Sequence, residues 1–261
     1  MIDFHTHIFP EKIAKPTLDY LESRCKTKPY TNGIAEGLSK STDDAGIDLS
    51  IVLPVVTKPS QFQSINRFAR ELKQDNLLSF GGIHPDCDDY KAEINTIKEW
   101  GFQGIKLHPD YQGVFIDDIR YERIISYASE KDLIVSVHAG FDPGYPECTH
   151  CTPQKAAKMI EDVRPSKLVL AHMGGFQRWD EVEENLVGKE VYLDTAVVFG
   201  FISEEQFTRI CRNHGTDKIL FATDSPWSGQ RESVEMLRAM DLTDCEKEQI
   251  FDGNARNLLT L

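Results

Sequence analysis

Short apolar runs alternate with longer amphipathic ones along the whole sequence. The opening residues Met1 to His7 read as a strand that sets Asp3, His5 and His7 on one face and Ile2, Phe4 and Thr6 on the other. Further strands are expected at Asp48 to Pro54, Leu77 to Ile83, Phe102 to His108, Leu133 to His138, Lys167 to His172, Glu190 to Thr195 and Lys218 to Asp224. Between them the pattern predicts helices over Glu11 to Ser23, Ser60 to Asp75, Tyr90 to Trp100, Ile119 to Lys131, Pro153 to Val163, Trp179 to Leu186 and Ser203 to Asn213. Ser41 to Asp44 is expected to open only a short helical turn, and helices around Glu232 to Met240 and Thr243 to Leu259 close the chain. The punctuation agrees: Gly101 follows a helix end, Thr152-Pro153 reads as N-cap and first helical residue, and Ser203 opens a capping-box pattern with Gln206.

No Pro/Ser-rich linker or low-complexity stretch interrupts this order. Alternating β and α units imply a parallel sheet, and eight units in 261 residues match one α/β domain, a (β/α)8 TIM barrel over 1–261. An open doubly wound sheet is the rival. It would bind ligand at one switch point, whereas here polar residues end many strands at once.

Composition narrows the function classes. Hydrophobic residues make up 40% and charged residues 27%, ordinary values for a globular protein, and no apolar run is long enough to span a membrane. A formal charge of −13, from 29 Lys+Arg against 42 Asp+Glu, argues against a broad nucleic-acid surface. It leaves room for an anionic small substrate, which responds to the local field. The start lacks the basic and apolar regions of a signal peptide, so a cytoplasmic location is expected. Of six cysteines only Cys148 and Cys151 form a close pair, and without a second such pair they read as reduced thiols.

In a barrel the chemistry gathers at the C-terminal strand ends. The residues there are His5 and His7, His84, Lys106 and His108, His138, His172 and Asp224, so five of these six strand ends carry histidine although the chain has eight in all. Each has a bland reading: His84-Pro85 and His108-Pro109 as strand terminators, His214 as a helix cap, His150 as a residue before a helix. The bland reading is hard to hold for the ordered set His5, His7, His138, His172 and Asp224. Neutral imidazole and carboxylate together are zinc-type ligands.

Asp3-x-His5-x-His7, His138 ahead of Gly140, Ala171-His172-Met173-Gly174-Gly175 and Thr223-Asp224-Ser225-Pro226-Trp227 resemble the metal-dependent amidohydrolase superfamily. They are most similar to its branch that includes aminocarboxymuconate-semialdehyde decarboxylase, as is the ending Gly253-Asn254-Ala255-Arg256-Asn257-Leu258. The resemblance implies metal ligands His5, His7, His138 and Asp224, with His172 and Asp224 in catalysis. One zinc or similar divalent ion is expected, and a second only if Lys106 is carboxylated as in two-metal members. His84, Lys106, His108 and His150 are the candidates for substrate contact, and Asp194 with the loop Val197 to Phe201 is expected to line the mouth.

Three imidazoles and a carboxylate leave a metal with an open position. The first expectation is therefore a hydrolase that activates water against an amide, ester or lactone of a small, acidic organic substrate. The alternative is non-oxidative decarboxylation of an unsaturated or aromatic acid, or hydration of a double bond, with the same residues in altered roles. A small-molecule substrate, no nucleic acid and no membrane are the expected partners, with assembly into a homo-oligomer allowed.

Overall fold

The computed structural model describes residues 1–261. Along the chain, β1 (Ile2–Thr6), α1 (Glu11–Cys25), α2 (Ala35–Asp44), β2 (Leu49–Val52), α3 (Phe62–Arg70), β3 (Leu77–Ser79) and β4 (Gly81–Gly82) come first. They are followed by α4 (Tyr90–Glu99), β5 (Gly104–Leu107), α5 (Pro109–Gln112), α6 (Ile119–Glu130), β6 (Ile134–Val137), α7 (Pro153–Val163) and β7 (Leu168–Leu170). The order ends with α8 (Trp179–Asn185), β8 (Tyr192–Asp194), α9 (Glu204–His214), β9 (Ile219–Leu220), α10 (Gln230–Ala239), α11 (Asp244–Glu248) and α12 (Asn254–Leu259). No helix is long and apolar enough to cross a membrane.

These elements fall into two compact units, one of Met1–Val52, Leu72–Leu78 and Asp194–Leu261, the other of Leu53–Glu71 and Ser79–Leu193. In the first, β1 pairs in parallel with β2, Ile2 opposite Leu49 and Asp3 opposite Ser50. Phe4 N donates to Phe221 O at 2.9 Å, so the residue that follows β9 runs beside β1, and Thr195 N donates to Leu220 O at 3.0 Å, which ties β9 to the residue after β8. Ile2, Phe4, Leu38, Ile51, Leu220, Phe221 and Ile250 are fully buried around these strands.

The second unit carries β4, β5, β6, β7 and β8 paired in sequence order, all parallel. Every residue of β5, β6 and β7 is buried, as expected of parallel strands covered on both faces. The helices start where their caps predict. Thr152 Oγ1 accepts from Lys155 N at 3.3 Å ahead of Pro153, and Asp118 and Asp89 cap α6 and α4 in the same way.

The strands are shorter than the apolar runs that announce them, and three departures have local causes. The expected turn at Ser41 to Asp44 is the second half of α2, which starts at Ala35. The expected third strand is split at Phe80, because Asn66 Oδ1 accepts from Gly82 N and Asn66 Nδ2 donates to Gly82 O, both at 2.8 Å. The expected last helix contains a π-type stretch, Gln249–Gly253, whose wider turn lets Ile250 O accept from Phe221 N at 2.9 Å.

Candidate metal centre

In the first unit, β1 ends against the turn that follows β9. Asp224 N donates to His5 O at 2.7 Å and His7 N to Ser225 O at 2.6 Å, which carries the ladder past the last regular strand residue. Asp224 itself sits in the left-handed region at φ 66°. That backbone swings its carboxylate toward β1, leaving Asp224 Oδ1 3.4 Å from His5 Nε2 and 3.1 Å from His7 Nε2. The two imidazole Nε2 atoms are 3.1 Å apart.

This triangle fits a cation. Bonds of about 2.0–2.1 Å in a tetrahedral zinc site put neighbouring ligand atoms about 3.3–3.4 Å apart. The hydrogen bonding fits as well. His5 Nδ1 lies 3.0 Å from Asp194 Oδ2, with both side chains buried, so Nδ1 carries the ring proton and Nε2 presents a lone pair. Asp194 Oδ1 accepts from Ala196 N at 3.1 Å, which fixes the carboxylate in turn. Asp194 thus does not line a mouth as the sequence suggested: it is fully buried, and its work is on His5. His7 and Asp224 keep a partial opening to solvent, 15% and 13% exposed.

A second group gathers in the other unit. His108 Nε2 is 3.4 Å and His138 Nε2 3.9 Å from Asp142 Oδ2, and His138 Nε2 is 3.6 Å from Asp110 Oδ2. The His108 and His138 rings stack at 4.2 Å, and His172 Nε2 lies 3.0 Å from His138 Nδ1. By distance, both His5–His7–Asp224 and His108–His138–Asp142 can hold a divalent ion. The chemistry of the donors separates them. His108 Nδ1 accepts from Tyr111 N at 3.3 Å as the N-cap of α5, so in a neutral ring the proton is on Nε2, the atom facing Asp142. That nitrogen is a donor, and the second group is better suited to hydrogen bonding.

The other expected residues have definite places. Lys106 is buried on β5, opposite Gly82 and Ser136 in register. His84 Nδ1 accepts from Asp86 N at 3.1 Å, and burial pushes its imidazole below the usual histidine range. His150 donates through its backbone N, 2.8 Å from Asp110 Oδ1, and its Nδ1 meets the same oxygen at 2.8 Å. Burial raises the Asp110 carboxyl above its ordinary range. His172 and Met173 both adopt left-handed backbone, φ 59° and 54°, and His172 O accepts from Trp179 Nε1 at 3.1 Å. Sequence reasoning missed Asp110 and Asp142. Their only signals are their positions, shortly after His108 and after His138-Ala139-Gly140.

The profile of the Amidohydrolase family matches residues 2–261. No curated protein matches the sequence. Among solved structures, a dihydroxybenzoic acid decarboxylase from a Polaromonas species, with bound manganese and 2-nitroresorcinol, superposes with TM-score 0.68 at 16% identity, covering 100% of this chain and 96% of that one. The 5-carboxyvanillate decarboxylase of Sphingomonas paucimobilis gives 0.71 at 14% identity, and a putative amidohydrolase from Staphylococcus aureus 0.70 at 18%, each covering 100% of this chain and 99% of the other. Likeness of this extent at such identities identifies the fold, the distorted (β/α)8 architecture of the α/β class.

Proposed function

The chain belongs to the metal-dependent amidohydrolase family and is an enzyme of that superfamily, and on that premise we propose that it is a non-oxidative decarboxylase of a small unsaturated or aromatic acid. It acts as one domain over residues 1–261. The observation that carries the metal-dependent part is the triangle of His5 Nε2, His7 Nε2 and Asp224 Oδ1, with the His5 tautomer set by Asp194. Decarboxylation is preferred to the hydrolysis expected from sequence because two of the similar structures are named as decarboxylases of aromatic acids, whereas the Staphylococcus aureus one is named only as a putative amidohydrolase.

His5, His7 and Asp224 would hold one divalent ion. His138 belongs to the other unit, and its place as a further ligand rests on the resemblance alone. Zinc is the expected ion, and the manganese in the Polaromonas relative makes manganese its competitor. Bound there, the ion acts as a Lewis acid on substrate oxygens.

The chain's own residues handle the proton. In the reaction the bond between the ring or alkene carbon and the carboxylate breaks, carbon dioxide leaves, and the electron pair left on carbon takes up a proton. Asp224 can hold that proton at a carboxylate oxygen; the role of His172, in the second unit, as a further proton holder rests on the resemblance alone, as for His138. Lys106, His84 and His108 are the proposed contacts for the substrate's acid group. His150, bound to Asp110 through both its backbone and its ring, holds its own loop in place.

The test is a panel of hydroxybenzoates and unsaturated acids, together with matched esters, amides and lactones, given to protein loaded with zinc or manganese. Release of carbon dioxide, with one deuterium appearing at the vacated carbon in D2O, is the expected result. Hydrolysis of the neutral analogues with no carbon dioxide from any acid would restore the hydrolase reading.

A further inference from the structure

Asp3 is the member of the Asp3-x-His5-x-His7 triplet that no ligand role absorbs. Its side chain is completely buried. Oδ1 accepts from Thr223 N at 2.9 Å and from His5 N at 3.3 Å, while Oδ2 accepts from Thr223 Oγ1 at 2.6 Å and from Gln230 Nε2 at 2.8 Å. Thr223 Oγ1 then accepts from Ser225 N at 3.1 Å. Gln230 Nε2 extends the network to Ser50 Oγ at 3.0 Å, and Ser50 meets Thr42 at 2.8 Å.

One carboxylate therefore grips the backbone of His5 and both the backbone and the side chain of the residue before Asp224. Asp224 needs such a grip. Aspartate tolerates the left-handed region better than most residues with a side chain, yet the conformation is still uncommon, and hydrogen bonds to the neighbouring residue help to hold Asp224 there at φ 66°. Asp3 is the group that reaches both strands from below. Backbone hydrogen bonds also tie the turn to β1, from Asp224 N to His5 O and from His7 N to Ser225 O.

We propose that Asp3 is a positioning residue for the metal centre: it clamps the Thr223–Asp224–Ser225 turn to β1, so that the Asp224 carboxylate meets the two imidazoles. The inference rests on the reading of His5, His7 and Asp224 as a metal site. A purely structural Asp3 would support the fold without affecting the ion. Asparagine at this position keeps the size and one acceptor oxygen but turns an N–H₂ toward Thr223 or Gln230, which are themselves donors here.

The experiment measures zinc affinity by chelator competition and amide hydrogen exchange of the metal-free protein for wild type, Asp3→Asn, Thr223→Val and the double variant. Asp3→Asn is expected to bind zinc about 10–100-fold more weakly, the usual cost of losing a partner behind the ligands. Exchange should accelerate across residues 222–227 and stay unchanged across 134–137 and 168–170. Thr223→Val should weaken binding in the same direction, and the double variant should be no weaker than Asp3→Asn. If Asp3→Asn fails to fold, Thr223→Val, which keeps Asp3, gives the answer. Wild-type affinity in either single variant that folds, or exchange raised evenly along the chain, would overturn the positioning role. A wild-type protein that binds no zinc or manganese would overturn the metal reading, and this inference with it, before any variant is made.

Discussion

The Nδ1 of His5 lies 3.0 Å from Asp194, and that contact decides which nitrogen of the ring is free of its proton. Asp194→Asn should therefore lower zinc affinity by about 10–100-fold while the protein stays folded, measured by chelator competition against a melting curve. His172 makes a different demand on its substitute. At φ 59° it needs a residue that tolerates left-handed backbone, and asparagine does. His172→Asn should fold and keep its metal but lose about 10²–10⁴-fold in kcat, the usual worth of a proton-transfer group. Turnover near the wild-type rate would make His172 structural. Away from this chemistry, burial holds the Glu93 carboxyl up at about 7. Its folded value is raised above the unfolded one, so its contribution to stability is present at low pH and lost as pH rises through about 7. Glu93→Gln should accordingly raise Tm at pH 8 and change it less at pH 5, read from thermal melts at both pH values. The histidines at the strand ends were legible in sequence because strand parity and the following Gly or Pro mark them. Asp194 as the partner of His5 was not, since the two are 189 residues apart and no local pattern connects them.

At the scale of elements, the strands and helices were legible in order and type because buried β-branched runs and capped amphipathic helices carry their own periodicity. What was not legible depends on side chains from elsewhere. Asn66 breaks the third strand by occupying both backbone groups of Gly82. The one-turn helix α5 has no periodicity to detect, yet its last residue, Gln112, joins four segments. Its Nε2 donates to Val56 O at 2.7 Å and Ile83 O at 2.8 Å, and its Oε1 accepts from His108 N at 3.1 Å and Tyr121 Oη at 2.6 Å. Both His84 and His108 are adjacent to or part of these contacts. Gln112→Ala should leave buried partners unsatisfied and lower stability by about 2–4 kcal/mol, seen as a lower denaturation midpoint. A loss below about 0.5 kcal/mol, the range of ordinary surface substitutions, would mean that water replaces the amide.

For the whole molecule, the net charge of −13 opposes the approach of any acidic substrate. Screening weakens that opposition, because the Debye length falls from about 10 Å at 0.1 M salt to about 3 Å at 1 M. kcat/KM for an acid should therefore rise with added salt while that for a neutral ester stays level; a fall for the acid would mean that local cations such as Lys106 dominate its capture. The count of eight β–α units was legible because each unit is local. The partition was not, because the first unit joins Met1–Val52 to Asp194–Leu261 across the whole chain. That partition sets a timetable for the ribosome. His5 and His7 are made before the second unit, but their carboxylate partners Asp194 and Asp224 come after the whole of it. At about 5–20 residues per second, the two histidines wait on the order of ten seconds for Asp194. The second unit, Leu53–Glu71 with Ser79–Leu193, is complete before either carboxylate exists, so the nascent chain can assemble the His5–His7–Asp224 triangle only after that unit has been made.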